Sequence, residues 1–183
     1  MEKDLSIKKN FEFALKNHQE NNLEVAEKFY KKILKINPNH FESTFLLGTL
    51  SAQIKNFDLA KELLLKTIQI NPNYADAHNN LGLVFHELNE FEKAKSCYEK
   101  AIQIDPNYIN AYNNLGTILG ELGHINEAKQ YFEKSLNLDP NNEKTCENYG
   151  DLLLKLNQHS KALVYIRKGA GFIRFSQKDF KII

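Results

Sequence analysis

At 183 residues, with 42% hydrophobic and 26% charged side chains, the chain is long enough and mixed enough to bury a core. Its 24 Lys and Arg against 23 Asp and Glu leave a formal charge of +1, without the basic surplus that a phosphate backbone calls for, so nucleic acid is not an expected partner. No apolar run approaches the roughly 20 residues of a membrane-spanning helix, and Cys97 and Cys146 form no C-x-x-C pair, so the expectation is a cytoplasmic chain with free thiols and no membrane partner.

The prolines, Pro38, Pro72, Pro106 and Pro140, recur at a constant period of 34 (72 − 38, 106 − 72, 140 − 106), and Gly48, Gly82, Gly116 and Gly150 keep it, as do Ala26, Ala60, Ala94, Ala128 and Ala162. The first unit, 7–40, has Ala14 in place of the glycine, and the second, 41–74, has Leu64 where units 75–108 and 109–142 have an aromatic. Units 75–108 and 109–142 are the most regular, and 143–168 keeps Tyr149, Gly150 and Ala162 but is incomplete. Within a unit, apolar residues recur at helical spacing, for instance Ala94, Cys97, Tyr98, Ala101 and Ile102, so each unit reads as two antiparallel helices.

The turn inside a unit is expected at Lys55-Asn56-Phe57, Leu88-Asn89-Glu90-Phe91 and Leu122-Gly123-His124, where Asn or Gly accepts the left-handed backbone that ends a helix. Asp58, Glu92 or Asn126 then starts the second helix. Between units, Asn-Pro-Asn or Asp-Pro-Asn stops the chain from continuing as helix. Gly82 opposite Ala94 lets two helices approach closely, and Tyr98, Phe132 and Tyr30 are expected to fill the space toward the next unit. One hairpin cannot bury both its faces, so the units must stack. Residues 169–183 lose the helical pattern; Phe172–Phe175 and Phe180–Ile183 suggest a short hairpin or the start of a further domain.

These phased residues, Leu81-Gly82, Ala94, Tyr98, Ala101 and Pro106 with their counterparts Leu115-Gly116, Ala128, Phe132, Ser135 and Pro140, resemble the tetratricopeptide repeat. The resemblance covers most of the chain. It implies an all-α fold, a right-handed superhelical solenoid of about five helix-turn-helix repeats over 1–168. The first helix of each repeat would line a concave groove that binds a protein or peptide, with no chemistry of its own. It places Asp76, Asn79, Asn80 and Glu87, then Asn110, Asn113, Asn114, Thr117 and Glu121, and Asn148, in that groove. Asn80, Asn114 and Asn148, each one period from the next, would form a ladder similar to that of the repeat domain of O-GlcNAc transferases, each carboxamide offering a donor and an acceptor to an extended peptide backbone. Acidic groove candidates such as Glu12, Glu42, Glu147 and Asp151 outnumber Lys8, Lys144 and Lys155, which favours an uncharged or basic ligand over a carboxylate tail.

The six histidines form no H-E-x-x-H or other close pair, no glycine-rich phosphate loop is present, and neither cysteine has a neighbouring base. The expectation is therefore no enzyme, no metal and no cofactor in this chain. Beside the interaction-module reading stand two others: the substrate-recognition arm of a larger glycosyltransferase, sulfotransferase or oxygenase, and a homo-oligomer assembled through terminal repeats or the C-terminal tail.

Overall fold

The computed structural model describes residues 2–170. Among them the regular structure is ten helices: α1 Glu2–Gln19, α2 Leu23–Ile36, α3 Phe41–Gln53, α4 Phe57–Ile70, α5 Ala75–Glu87, α6 Phe91–Ile104, α7 Ile109–Glu121, α8 Ile125–Leu138, α9 Glu143–Lys155 and α10 His159–Ala170. Gly169 and Ala170 belong to α10, so the helix reaches slightly beyond the expected start of the tail; the expected hairpin lies outside the described residues.

Each helix end follows from local chemistry. The first helix of every pair closes on one residue in the left-handed region: Asn21, Lys55, Asn89, Gly123 and Asn157, with φ of 60°, 60°, 58°, 80° and 56°. The next residue's N–H then reaches back five positions, as in Asn56 N–H to Ser51 O at 2.8 Å and Glu90 N–H to Phe85 O at 2.8 Å, which satisfies carbonyls the helix leaves open. This corrects the expectation at 55–57. The left-handed residue there is Lys55, and Asn56 is instead the cap of α4, its Oδ1 accepting from Leu59 N–H at 3.4 Å. The second helices begin at Phe57, Phe91 and Ile125, one residue earlier than expected, so Asp58 and Glu92 sit in the first turn, where a carboxylate faces the positive end of the helix dipole.

Lysine carries a Cβ that crowds the left-handed backbone, whereas Gly and Asn tolerate it. Lys55→Gly is therefore expected to raise unfolding stability by about 1 kcal/mol in a denaturant titration, and no gain would mean that the turn is not held at positive φ.

Four second helices, α2, α4, α6 and α8, end in a repeated Asx turn. Asn39 N–H donates to Asn37 Oδ1 at 3.1 Å, Asn73 to Asn71 at 3.1 Å, Asn107 to Asp105 at 2.9 Å and Asn141 to Asp139 at 3.1 Å, each across a proline. The proline fixes the backbone while its neighbours supply the bonds it cannot make.

The chain divides into two compact units, 1–104 and 105–183, the second described to residue 170. The first holds three hairpins, α1–α2, α3–α4 and α5–α6, with α2 packed on α3 and α4 on α5. Its core is built from Ala14, Ala26, Tyr30, Ile33, Leu47 and Leu50, followed by Ala60, Leu64, Leu81 and Val84. The second unit holds the hairpins α7–α8 and α9–α10, with α9 packed against both α7 and α8. There the hydroxyls of Ser135 and Thr145 meet at 2.8 Å in a buried contact between α8 and α9.

The phased alanines are all fully buried, and Gly82 and Gly116 make room for rings, whereas Gly48 and Gly150 face the aliphatic side chains of Leu64 and Ile166. A Cβ on Gly82 would lie 2.5 Å from Cε1 of Tyr98, and one on Gly116 would lie 3.0 Å from the Phe132 ring. Tyr98 and Phe132 thus fill the interior of their own hairpins, a contact that the expected reach toward the next unit did not include. Phe132 does both, since its ring also stacks on Tyr149 of the following hairpin at a centroid distance of 5.6 Å.

Candidate functional site

The first helices of neighbouring hairpins are tied by a threonine and an asparagine, once in each unit. In the first unit Asn80 Nδ2 on α5 donates to Thr49 Oγ1 on α3 at 3.1 Å. In the second, Asn148 Nδ2 on α9 donates to Thr117 Oγ1 on α7 at 3.2 Å. Both threonine hydroxyls in turn donate to a carbonyl one helical turn back, Thr49 to Phe45 O at 3.1 Å and Thr117 to Asn113 O at 3.0 Å. The hydroxyl therefore faces the asparagine with its lone pair, and the carboxamide orientation is fixed.

Each pair borders an open cleft. The first, about 460 Å³, is floored by Ala52 and Val84 and rimmed by Gln53, Lys55, Leu83 and Glu87. The second, about 210 Å³, has Gly120 and Leu152 below and Glu121, Asp151 and Lys155 at the rim. The positions of the two pairs correspond one to one across two repeats.

Of the residues expected in a groove, Asn80, Thr117 and Asn148 form these pairs, and Glu87 and Glu121 are exposed at the cleft rims. Asn79 and Asn113 are buried, 4% and 5% exposed, and each turns its amide to the next residue: Asn79 Nδ2 donates to Asn80 Oδ1 at 3.3 Å and Asn113 Nδ2 to Asn114 Oδ1 at 3.5 Å. They steady their neighbours instead of facing solvent. Asn114 is half-buried, Asn110 is exposed at the start of α7, and Asp76 is half-buried beside Tyr74. Burial, then the Asp76 carboxylate, pushes the Tyr74 phenol up to about 12.

Asn80 and Asn148 differ in what they keep. Asn80 uses one N–H on Thr49 and one carbonyl lone pair on Asn79, which leaves one donor and one acceptor. Asn148 donates to both Asn113 Oδ1 at 3.0 Å and Thr117 Oγ1 at 3.2 Å, so both N–H groups are engaged and its oxygen remains. Thr49 and Gln53 were not singled out by the motif reading. The signal was present, since Thr49 and Thr117 are in phase at two repeats. Gln53 is itself held, its Oε1 lying 3.2 Å from His18 Nε2.

The other reactive side chains have structural partners. His78 is buried with Nε2 2.9 Å from Pro72 O, and His40 caps α3 by accepting from Ser43 N–H at 3.3 Å. Burial pushes the Cys97 thiol up to about 11 and raises that of Cys146, so both stay protonated at neutral pH. Among the described residues no group of three or more His, Cys, Asp or Glu could hold a metal ion, and no helix is long and apolar enough to cross a membrane.

Comparison with solved structures gives the same fold. The chain is 26% identical to pilF of Pseudomonas aeruginosa at a TM-score of 0.81, covering 93% of this chain and 78% of that one. It is 25% identical to MamA at a TM-score of 0.74, covering 86% and 92%. YrrB, described as a TPR protein with an unusual peptide-binding site, is 23% identical at a TM-score of 0.68, covering 88% and 84%, a likeness of fold alone. No curated protein matches the sequence. Models of the tetratricopeptide repeat match residues 17–40, 75–108 and 109–142, and one of the TPR repeat matches 52–89. With most of its length matched repeat by repeat, this chain belongs to the tetratricopeptide repeat family.

Proposed function

We propose that the chain is a protein-interaction module in which each compact unit holds an extended polypeptide segment along the first helices of its hairpins, Asn80 contacting the main chain in the first unit and Asn148 in the second. The observation that carries this reading is the Thr–Asn pair, built twice from equivalent residues, each time beside an open cleft. The donor and acceptor left on Asn80 match the carbonyl and N–H of one peptide unit, and the oxygen left on Asn148 suits a peptide N–H. Asp76, Asn110, Asn114, Glu87 and Glu121 would add contacts at the edge, and the excess of carboxylate there disfavours an acidic segment. YrrB, described as a TPR protein with an unusual peptide-binding site, is an instance of this fold with a site for a peptide.

The test is affinity capture from lysate of the source organism with the natural chain and with an Asn80→Ala/Asn148→Ala variant of equal helical content by circular dichroism. Both asparagines are half-buried and replaceable without a cavity in the core. A partner kept by the natural chain and lost by the variant supports the reading. Equal retention by both would place the partner elsewhere on the molecule.

A further inference from the structure

The two clefts share their Thr–Asn pair and apolar floor but not their rims. Where the second unit has Glu121, Asp151 and Lys155, the first has Gln53, Leu83 and Glu87. Leu83 is 39% exposed, an aliphatic side chain left open above Ala52 and Val84. The charges bordering this first cleft are one of each sign, Lys55 and Glu87, so no net field rewards a charged guest.

Resting on the main-chain reading above, we infer that the cleft beside Thr49 and Asn80 selects an aliphatic side chain of the held peptide. An aliphatic group entering it covers Leu83 and the apolar floor and gives up no hydrogen bonds to water. A lysine or arginine would meet Lys55, a glutamate or aspartate would meet Glu87, and either would lose water against Leu83 without a net countercharge. The constant Thr–Asn pair then reads the backbone, and the variable rim reads the side chain. The second unit's rim, with two carboxylates and one ammonium, lacks this apolar character, which makes aliphatic selection a property of the first cleft.

The experiment is an NMR titration of 15N-labelled full chain with three capped pentapeptides, Ala-Ala-Xaa-Ala-Ala with Leu, Lys or Glu at the centre, read at the Asn80 side-chain amide and along 80–87. The same titration is run on Leu83→Asp/Glu87→Lys, which gives the first cleft the second unit's rim residues at two exposed positions. The leucine peptide is expected to bind the natural chain about tenfold more tightly than the other two, and the variant to lose that preference. If all three peptides shift Asn80 equally, the side-chain selection is wrong and the main-chain reading stands. A leucine preference that persists in the variant would also overturn the selection by this rim. If none of the three shifts Asn80, both the selection and the main-chain reading fail.

Discussion

Replacing Phe132 with alanine is expected to cost about 4 kcal/mol of unfolding free energy. The ring is 1% exposed, lies against the bare backbone of Gly116 within its own hairpin, and stacks on Tyr149 of the next. Removing it empties both contacts at once. The glycine offers no side chain to collapse into the space, so the void remains, and Tyr149, hydrogen-bonded through its hydroxyl to Glu133 Oε1 at 2.9 Å, is not free to swing across. Phe132 also lines the second cleft, so the loss should loosen the helices that hold Asn148. Denaturant unfolding followed by circular dichroism measures the cost. A loss below about 1.5 kcal/mol would mean that the ring does not bridge the two hairpins.

Gly82→Ala is expected to destabilise by about 2 kcal/mol, whereas Gly48→Ala should lie close to neutral. Both glycines sit mid-helix, where alanine is intrinsically better by about 1 kcal/mol. The difference lies in what the new methyl meets. At Gly82 it would fall 2.5 Å from a fully buried tyrosine ring, which is rigid and enclosed; at Gly48 the nearest atoms, of Leu63 and Leu64, lie at 3.2 Å, a tight contact that a much smaller shift relieves. The two positions are equivalent, one repeat apart, and so are Leu64 and Tyr98. Tyr98→Leu should therefore recover part of the loss at Gly82, and a double-mutant cycle reads the coupling directly. Additive effects would contradict the packing described here.

These two cases show what the sequence makes legible and what it does not. Proline, glycine and the phased alanines act through the local backbone or through exclusion of a side chain, so their period alone locates helix ends and close approaches. The side that Tyr98 fills depends instead on the space its glycine leaves, a tertiary matter. At Lys55 the composition misled: the asparagine that suits a left-handed turn stands one residue later, and the register of the turn is set by the phase of Asn21, Asn89, Gly123 and Asn157, which continue one repeat at a time through Lys55 itself. The asparagines of the candidate site were visible as a periodic row, but their roles were not. That Asn79 and Asn113 turn inward, and that Thr49 holds Asn80, depends on contacts between helices.

A partner held as proposed lies along the first helices of the hairpins. This placement is tested most directly by introducing a photocrosslinking amino acid at Leu83 or Asp151, exposed at the clefts, and separately at Glu99 or Gln130, exposed on the second helices α6 and α8. Covalent capture of the same polypeptide is expected from positions 83 and 151 and none from 99 and 130. Capture from the second helices alone would contradict this placement.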